Sequence, residues 1–239
     1  MEPGRTSRRV DMSAARDAIL GRVRTGTGRP DGDQDAARSA VAERLAGRQR
    51  GLQPRRIALE AEDLVDLFVE KAQAVEATVS FVVTPADVPE AVADYLRGRN
   101  LPAEAAIAPH PDLDTMDWEA GTMTVERRPP QDADAVGINR AFGAVAETGT
   151  LVMAAGPESP STMNFLPASH IAVVRASEIA GGYEDVWDRL RAAGRGRGKA
   201  LPRTVNMITG TSRTGDIEQI MQTGVHGPKH LHIVVVKEG

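Results

Sequence analysis

Apolar residues along the chain follow two spacings, one typical of amphipathic helices and one typical of short buried strands. Leu64, Leu67 and Phe68 share one face of a predicted helix at 61–74, and a buried strand is expected at 79–83. The same two patterns recur to the end of the chain. Further strands are predicted at 105–108, 122–126, 151–154, 171–174, 204–208 and 231–236, and further helices at 87–97, 183–190 and 217–221.

The order strand, helix, strand indicates a parallel sheet joined by crossover helices. Near-continuous apolar strands are typical of a sheet that is buried on both faces. We therefore predict an α/β fold, a three-layer α/β/α sandwich with a mostly parallel sheet, over residues 57–239.

Residues 1–56 are expected to form a separate N-terminal extension with two helices, at about 13–26 and 34–46. Val41 and Leu45 should face inward in the second helix, and the polar loop at 25–33 should act as a linker or lid. Residues 1–11 have no periodicity, and Met12 has the sequence context of a natural start. We expect 1–11 to be an optional extension.

Composition narrows the classes of function. Aromatic residues make up only 3% of the chain, which argues against modules that stack nucleic-acid bases and predicts no nucleic-acid partner. No apolar run approaches the roughly 18–20 residues of a membrane span, so a cytoplasmic protein without a membrane partner is expected. Residues 1–56 contain 13 arginines and 7 acidic residues. This basic region fits contact with an acidic partner or, because acids and arginines are interspersed, a solvated helical surface.

The chain contains no cysteine, so it offers no thiolate nucleophile and no cysteine ligand for zinc or an iron–sulfur cluster. Three histidines, His226, His230 and His232, lie close together and could begin a metal site. The intervening Gly227-Pro228 prevents a helical pair, and no carboxylate lies at a matching spacing. We predict no metal and no cofactor.

The segment 208–218 concentrates glycine, hydroxyl and charged residues between two apolar runs, a composition suited to holding a ligand. Gly210 and Gly215 permit close backbone approach, and Arg213 offers a planar fork for carboxylate or phosphate. If the segment opens a helix, its amides could hold an anion. The alternative is a capped helix in which Arg213 pairs with Asp216 or Glu218.

A second segment, 146–151, places Glu147 just before the turn Thr148-Gly149-Thr150. Glu147 is a candidate general base, nucleophile or ligand-orienting group. The alternative is a structural glutamate that accepts hydrogen bonds in the turn. His170 opens a predicted strand, where it either faces the ligand or makes structural hydrogen bonds.

Four ordered segments carry a family resemblance: AETGTL at 146–151, LPASHI at 166–171, GTSRTGDIE at 210–218 and GVHGP at 224–228. Together they resemble the LUD domain, named for lactate utilization, and within it the lactate utilization protein C type. The resemblance spans about 135–236. It departs from the family at Thr211, where proline is usual, at Gly215, where alanine is usual, and in the atypical segment 137–143.

The resemblance implies a fold like that of the NagB/RpiA/CoA-transferase group. It also implies a part in oxidising L-lactate to pyruvate, with iron–sulfur proteins as partners that carry the redox chemistry. Glu147 before its glycine turn is similar to the nucleophile of CoA transferases, which is a fold-level analogy.

We interpret the chain as a subunit that binds a small anionic ligand, a carboxylate or a phosphate, at the carboxyl ends of the strands. Arg213 would hold the anion, and Glu147 and His226 would face the recognised group. Two alternatives stay open: an independent acyl or CoA transferase or sugar-phosphate isomerase that uses Glu147, and a non-catalytic assembly subunit for an iron–sulfur protein. The remaining candidate ligand-binding residues are Thr148, Gly149, Thr150, His170, Gly210, Ser212, Thr214 and Asp216.

Overall fold

The computed structural model describes residues 12–27, 34–119, 122–194, 201–217 and 220–238. The residues outside these ranges include 1–11 and most of the predicted linker, so the expectations for those segments lie outside the described part. Two compact units divide the chain, Met1–Arg50 and Gly51–Gly239.

The first unit contains two helices, α1 (Met12–Gly26) and α2 (Gln34–Gly47). Both helices were predicted, but the inward orientation of Val41 and Leu45 is wrong. Their side chains are 51% and 71% exposed. Val41 and Leu45 lie one helical turn apart and form only a short apolar stripe on α2. The other helix of this unit does not cover that stripe.

The second unit holds a central sheet of six strands, all parallel, in the order β1-β12-β7-β4-β2-β3. Its strands are β1 (Thr78–Val82), β2 (Glu104–Ile107), β3 (Thr124–Arg127), β4 (Val136–Arg140), β7 (Ser169–Arg175) and β12 (His230–Val236). Four further helices accompany it: α3 (Ala61–Ala74), α4 (Val88–Gly98), α5 (Pro111–Asp114) and α6 (Tyr183–Ala193). The predicted α/β class with a mostly parallel sheet flanked by helices is confirmed.

Helices α4 and α5 cover one face of this sheet, where Val92, Leu96 and Leu113 are fully buried. Helix α3 packs on the other face through Phe68 and Ala72. Helix α4 forms because Val88, Val92 and Leu96 recur at helical spacing and Pro89 lies in its first turn.

A second sheet of four strands shares that other face with α3 and was not predicted as a separate layer. It runs β8-β5-β6-β9, with antiparallel pairing of β5 to β6 and of β6 to β9. The strands are β5 (Gly143–Val145), β6 (Thr150–Ala154), β8 (Ile179–Ala180) and β9 (Val205–Thr209). Helix α6 covers its outer side through Val186 and Leu190. The runs predicted at 151–154 and 204–208 therefore lie outside the parallel sheet.

The helix predicted at 217–221 is wrong, because this region is a hairpin of β10 (Arg213–Ile217) and β11 (Ile220–Thr223). Ile217, Ile220 and Met221 have helical spacing, but a window this short fits a helix by coincidence. In the hairpin, Ile217 lies opposite Ile220. None of the described helices is long and apolar enough to cross a membrane.

Candidate functional site

The third and fourth sequence segments, 210–218 and 224–228, meet in space. The Ser212 amide donates to the Pro228 carbonyl oxygen at 2.9 Å, and the Gly224 amide donates to the Ser212 carbonyl oxygen at 2.9 Å. Pro228 lies just before β12, so both segments lie at the amino ends of the parallel strands. The predicted placement at the carboxyl ends is wrong. That rule holds for loops that follow a parallel strand, whereas this loop follows β9 of the second sheet.

Glycines allow both segments to come close to the rest of the fold. Gly210 has φ +73°, and a Cβ there would lie 2.8 Å from the Val75 Cβ. Gly224 has φ +76°, and a Cβ there would lie 3.0 Å from the Lys229 Cδ. Only glycine adopts such a φ without strain, so these positions let Thr211 approach the start of β1 and let Lys229 lie along the loop.

A cavity of about 340 Å³ opens between these loops, the amino ends of β1 and β12, and the end of α4. We call it the amino-edge pocket. Residues with hydrogen-bond donors line it: Thr78, Arg99, Thr211, Thr223, Lys229 and His230.

Two positively charged residues, Arg99 and Lys229, line the amino-edge pocket. Within the described part of the chain, neither Arg99 nor Lys229 has a carboxylate at ion-pair distance. The Arg99 guanidinium lies 5.7 Å from the centre of the Tyr95 ring, close enough for a cation–π contact. Burial, with the charges of Arg99 and Lys229, lowers the pKa of His230 below its ordinary value.

Glu76 is the acidic residue of the pocket wall, and it already faces a cation. Its carboxylate lies 3.4 Å from the Arg213 guanidinium and accepts a hydrogen bond of 3.4 Å from Thr211. The alternative pairing of Arg213 with Asp216 or Glu218 lies outside the described side chains and stays a prediction. The role of Arg213 as the anion-binding residue stays a prediction.

His232 lies beneath the pocket, behind Tyr95. Its ring stacks on the Tyr95 ring at 3.9 Å between centroids, with the planes 8° apart. Hydrogen bonds join its Nδ1 to the Thr78 hydroxyl at 2.9 Å and its Nε2 to the Ser80 hydroxyl at 3.1 Å. Burial, followed by repulsion from Arg99, lowers the pKa of His232 to about 4. The neutral imidazole of His232 holds the Tyr95 ring in one orientation. The other contact of that ring is with the Arg99 guanidinium.

The first segment forms a 3₁₀ turn (Ala146–Thr148) between β5 and β6. The Glu147 carboxylate, 15% exposed, is ion-paired with Arg56, and the Glu147 amide donates to the Gly181 carbonyl oxygen. Gly149 has φ +65° and packs directly on the backbone of α3. The turn does not line the amino-edge pocket, and the catalytic role of Glu147 stays a prediction.

A cluster of hydroxyl groups surrounds this turn. The Thr150 hydroxyl lies 2.7 Å from that of Thr148, 2.7 Å from that of Thr209 and 3.1 Å from that of Tyr183. Thr209 directly precedes Gly210, so this cluster connects the first segment to the third. The structure thus brings these two predicted segments together, with Thr150 buried and Thr148 half-buried.

His170 is fully buried in β7 and does not line the amino-edge pocket. Neither ring nitrogen hydrogen-bonds to a described residue, so the alternative of structural hydrogen bonds is not seen there either. Burial lowers the pKa of His170 to about 4, which keeps the ring neutral at physiological pH.

The other predicted residues lie on the hairpin and the loop after it. Thr214 and Asp216 belong to β10, and Ser212 lies against Gly227. His226 lies in the exposed loop between β11 and β12. No group of three or more His, Asp or Glu side chains in the described ranges has the geometry of a metal site.

Two other cavities contain arginines that are paired with carboxylates of the protein. One of about 290 Å³ at the amino ends of β2 and β3 contains Arg128, which bonds Asp134 and Glu126 at 2.6 Å each. Another, of about 140 Å³, contains Arg140 at the carboxyl end of β4. Arg140 is bound by Asp112, Glu178 and two carbonyl oxygens. Arg128 and Arg140 are therefore already paired within the fold.

Sequence reasoning missed the two cations of the amino-edge pocket. Lys229 follows the GVHGP segment and precedes a predicted strand, and a cation at such a junction was a usable signal. Arg99 follows the glycine that ends α4, and nothing in the sequence separates it from the neighbouring Arg97. Thr78 and Tyr95 likewise become recognisable only when β1 and α4 are packed together.

Comparisons with known proteins agree with this fold and with the four segments. The family model of the LUD domain matches residues 65–236, so the chain belongs to the LUD domain family. A crystal structure of a DUF162 family protein from Deinococcus radiodurans has the same fold, with a TM-score of 0.55 and 22% sequence identity. The match covers 74% of this chain and 99% of that one.

Several curated relatives are named lactate utilization protein C. The protein from a Geobacillus species is 30% identical over 136 residues, which is 54% of this chain and 53% of that protein. The Exiguobacterium protein is 33% identical over 121 residues, 51% of this chain and 52% of that protein. The Bacillus subtilis protein is 30% identical over 122 residues, 51% of this chain and 50% of that protein. The match thus spans about half the length of these relatives.

Proposed function

We propose that this chain takes part in lactate utilization and that it does so by binding a small anion in the amino-edge pocket. One observation carries the proposal: Arg99 and Lys229 face a cavity without a carboxylate partner among the described residues. Both residues are exposed, and two positive charges that line one cavity attract an anion into it. The names of the curated relatives support the metabolic role.

The architecture of the pocket supports recognition of an anion. Three threonines from three different elements, Thr78, Thr211 and Thr223, line the pocket and make its wall polar. The loop residues that line the pocket, Thr211, Thr223 and Lys229, belong to the part of the chain matched by the family model.

Redox chemistry would belong to partner proteins. The chain has no cysteine, so it offers no thiolate for an iron–sulfur cluster. We therefore include iron–sulfur lactate utilization proteins among the proposed partners. In this account the chain binds the anion for such a partner or docks onto the partner as a subunit. It transfers no electrons itself.

The enzyme alternative rests on Glu147. Its carboxylate is mostly buried and already paired with Arg56, an arrangement that favours a structural role over a nucleophile. Binding at the amino-edge pocket therefore stays our main proposal.

Growth on L-lactate tests the proposed function. A strain that lacks this gene would be complemented with the wild type, with Arg99→Ala/Lys229→Ala, or with the matched surface variant Arg97→Ala/Lys237→Ala. We expect the deletion to slow growth on L-lactate, the wild type and surface variant to restore it, and the pocket variant to fail despite equal protein levels. Normal growth of the deletion strain would refute the metabolic role, and full rescue by the pocket variant would refute the role of the pocket.

A further inference from the structure

Strand β1 is an end strand of the central sheet, and its outer edge has no partner strand among the described residues. On its inner side it pairs with β12, and the nearby hairpin of β10 and β11 forms a sheet of its own. An unpaired edge presents backbone amides and carbonyl oxygens that can pair with another strand. The outer edge of β1 is therefore a surface to which a further strand can be added.

The backbone hydrogen bonds to β12 identify the residues that face this outer edge. The Val82 carbonyl oxygen accepts a hydrogen bond of 3.0 Å from the Lys237 amide, so the backbone groups of Val82 point to β12. Successive residues of a strand direct their backbone groups alternately to its two sides. The backbone groups of Ser80 therefore also point to β12, whereas those of Val79 and Phe81 point to the outer edge.

The two ends of the central sheet differ in how they are protected. Strand β3, at the other end, carries Glu126 and Arg127 and is followed by Pro129-Pro130. Charged residues and prolines are common means of keeping a sheet edge from pairing. Strand β1 has the sequence TVSFV, without charge or proline, and the Phe81 and Val83 side chains are 44% and 55% exposed. This contrast indicates that another strand covers β1.

The sequence of β1 complements itself in the antiparallel direction. If Ser80 lies opposite Ser80 of a second copy, Phe81 lies opposite Val79, and these outward-facing residues can exchange about four backbone hydrogen bonds. An aromatic side chain opposite a β-branched one is a stabilising cross-strand pair. In this register Val83 lies opposite Ala77, so apolar residues meet along one face, and no two charged residues oppose each other over 77–83.

We propose that the outer edge of β1 is an interface between two copies of this chain. The two β1 strands pair antiparallel about a twofold axis at Ser80, and the two six-stranded sheets become one continuous sheet. This interface goes beyond the proposed anion binding and does not use Arg99 or Lys229. Because a five-residue strand makes few hydrogen bonds, the dimer is weak and reversible.

Sedimentation velocity of the full chain tests the proposal at concentrations from about 1 to 300 µM. We expect the mass to rise with concentration from the 25.5 kDa of one chain towards twice that value. Phe81→Pro removes an outward-facing amide and no hydrogen bond to β12, so this variant should stay monomeric. A wild-type chain that stays monomeric over the whole range would overturn the proposal.

The matched control is Val125→Pro, in the strand at the opposite end of the sheet. The Thr124 amide donates to the Ala103 carbonyl oxygen, so the amide of Val125 faces outward from β3. This variant should dimerise as the wild type does. If Phe81→Pro does not fold, as judged by circular dichroism, Phe81→Lys replaces it, since two lysines at a paired edge should raise the dissociation constant about tenfold or more.

Hydrogen exchange of the wild type locates the interface without any substitution. The amides of Val79 and Phe81 should exchange about tenfold or more slowly at the highest concentration than at the lowest. The amides of Ser80 and Val82, which face β12, should be protected at both concentrations. A dimer that forms without added protection at Val79 and Phe81, or that persists in the folded Phe81 variant, would place the interface elsewhere and overturn the proposal. Protection of these two amides in a monomer would overturn it as well.

Discussion

The methylenes of Lys229 lie directly against the backbone of Gly224, at a position where a side chain would overlap them. A Cβ at residue 224 would lie 2.9 Å from the Lys229 Cε and 3.0 Å from its Cδ. The glycine of the GVHGP segment therefore has a physical function, which is to leave room for a lysine to reach the amino-edge pocket. This contact links a sequence motif to the positive charge that we propose recognises the ligand.

Replacing Gly224 should weaken anion binding as much as removing Lys229. In Gly224→Ala the new methyl group displaces Lys229, and the left-handed φ of +76° costs about 1 kcal/mol of stability. Calorimetry should show a loss of anion affinity within a factor of two of that in Lys229→Ala. Gly156→Ala is the control, because no atom lies within 4 Å of a Cβ there. Wild-type affinity in Gly224→Ala would show that the placement of Lys229 is not needed.

The turn after Glu147 should be intolerant of any side chain at Gly149. A Cβ would lie 2.6 Å from the Lys71 carbonyl carbon and 2.8 Å from the Ala72 Cα, and a helix backbone cannot move aside cheaply. Together with φ +65°, this predicts that Gly149→Ala lowers the free energy of unfolding by about 3 kcal/mol or more. Gly98→Ala, which meets open space near the end of α4, should be neutral or slightly stabilising in the same urea titration. Equal stability of the two variants would disprove the close packing on α3.

A structural Glu147 predicts a measurable coupling to Arg56 and no effect on anion binding. Arg56 is 68% exposed, so solvent screens the pair, and a double-mutant cycle with Arg56→Ala and Glu147→Gln should give about 1 kcal/mol. Anion affinity should be unchanged in Glu147→Gln, since Glu147 does not line the pocket. Turnover of CoA esters by the wild type that disappears in Glu147→Gln would instead support the transferase alternative.

Buried neutral histidines predict a loss of stability in mild acid. Burial lowers the pKa of His170 from 6.5 to about 4, so below pH 6.5 the unfolded chain binds a proton that the folded chain does not. Stability is therefore complete above pH 6.5 and falls until the folded pKa is reached, with a contribution from His170 of about 3 kcal/mol. His232 acts in the same direction.

The variant His170→Leu isolates this contribution. Urea unfolding at pH 7.5, 6 and 5 should show a shallower loss of stability than in the wild type. Identical pH slopes for the two proteins would mean that His170 is already protonated or solvated in the folded state.

Much of the fold could be predicted from the sequence because its central strands are buried on both faces. Such strands give continuous apolar runs, as in β7 and β12, and the helices between them have clear periodicity. The second sheet could not be distinguished, since every residue of β6 is also buried and its sequence resembles a parallel strand. A strand of the second sheet differs from a strand of the parallel sheet only in the strand with which it pairs. Pairing joins residues that are far apart in the sequence, so no local pattern reveals it.

The candidate site was predictable in part for a similar reason. Gly210 and Gly224 have unusual backbone conformations, and each directly adjoins a threonine that lines the amino-edge pocket. Arg99 comes from a helix more than a hundred residues earlier in the chain, and no local pattern indicates that it faces those loops. The loop at 210–218 was predicted to lie at the carboxyl ends of the parallel strands. That prediction is wrong because the loop follows β9 of the second sheet and not a parallel strand.

Ligand-dependent stability of the pocket variant tests the central claim most directly. Thermal unfolding would be followed for the wild type, for Arg99→Ala/Lys229→Ala and for Arg97→Ala/Lys237→Ala, each with L-lactate, pyruvate and inorganic phosphate. A ligand at a hundred times its dissociation constant should stabilise the fold by about 2.7 kcal/mol. We predict that at least one of these anions does so in the wild type and the surface variant and has no effect in the pocket variant. Equal stabilisation of all three proteins, or of none, would contradict binding at Arg99 and Lys229.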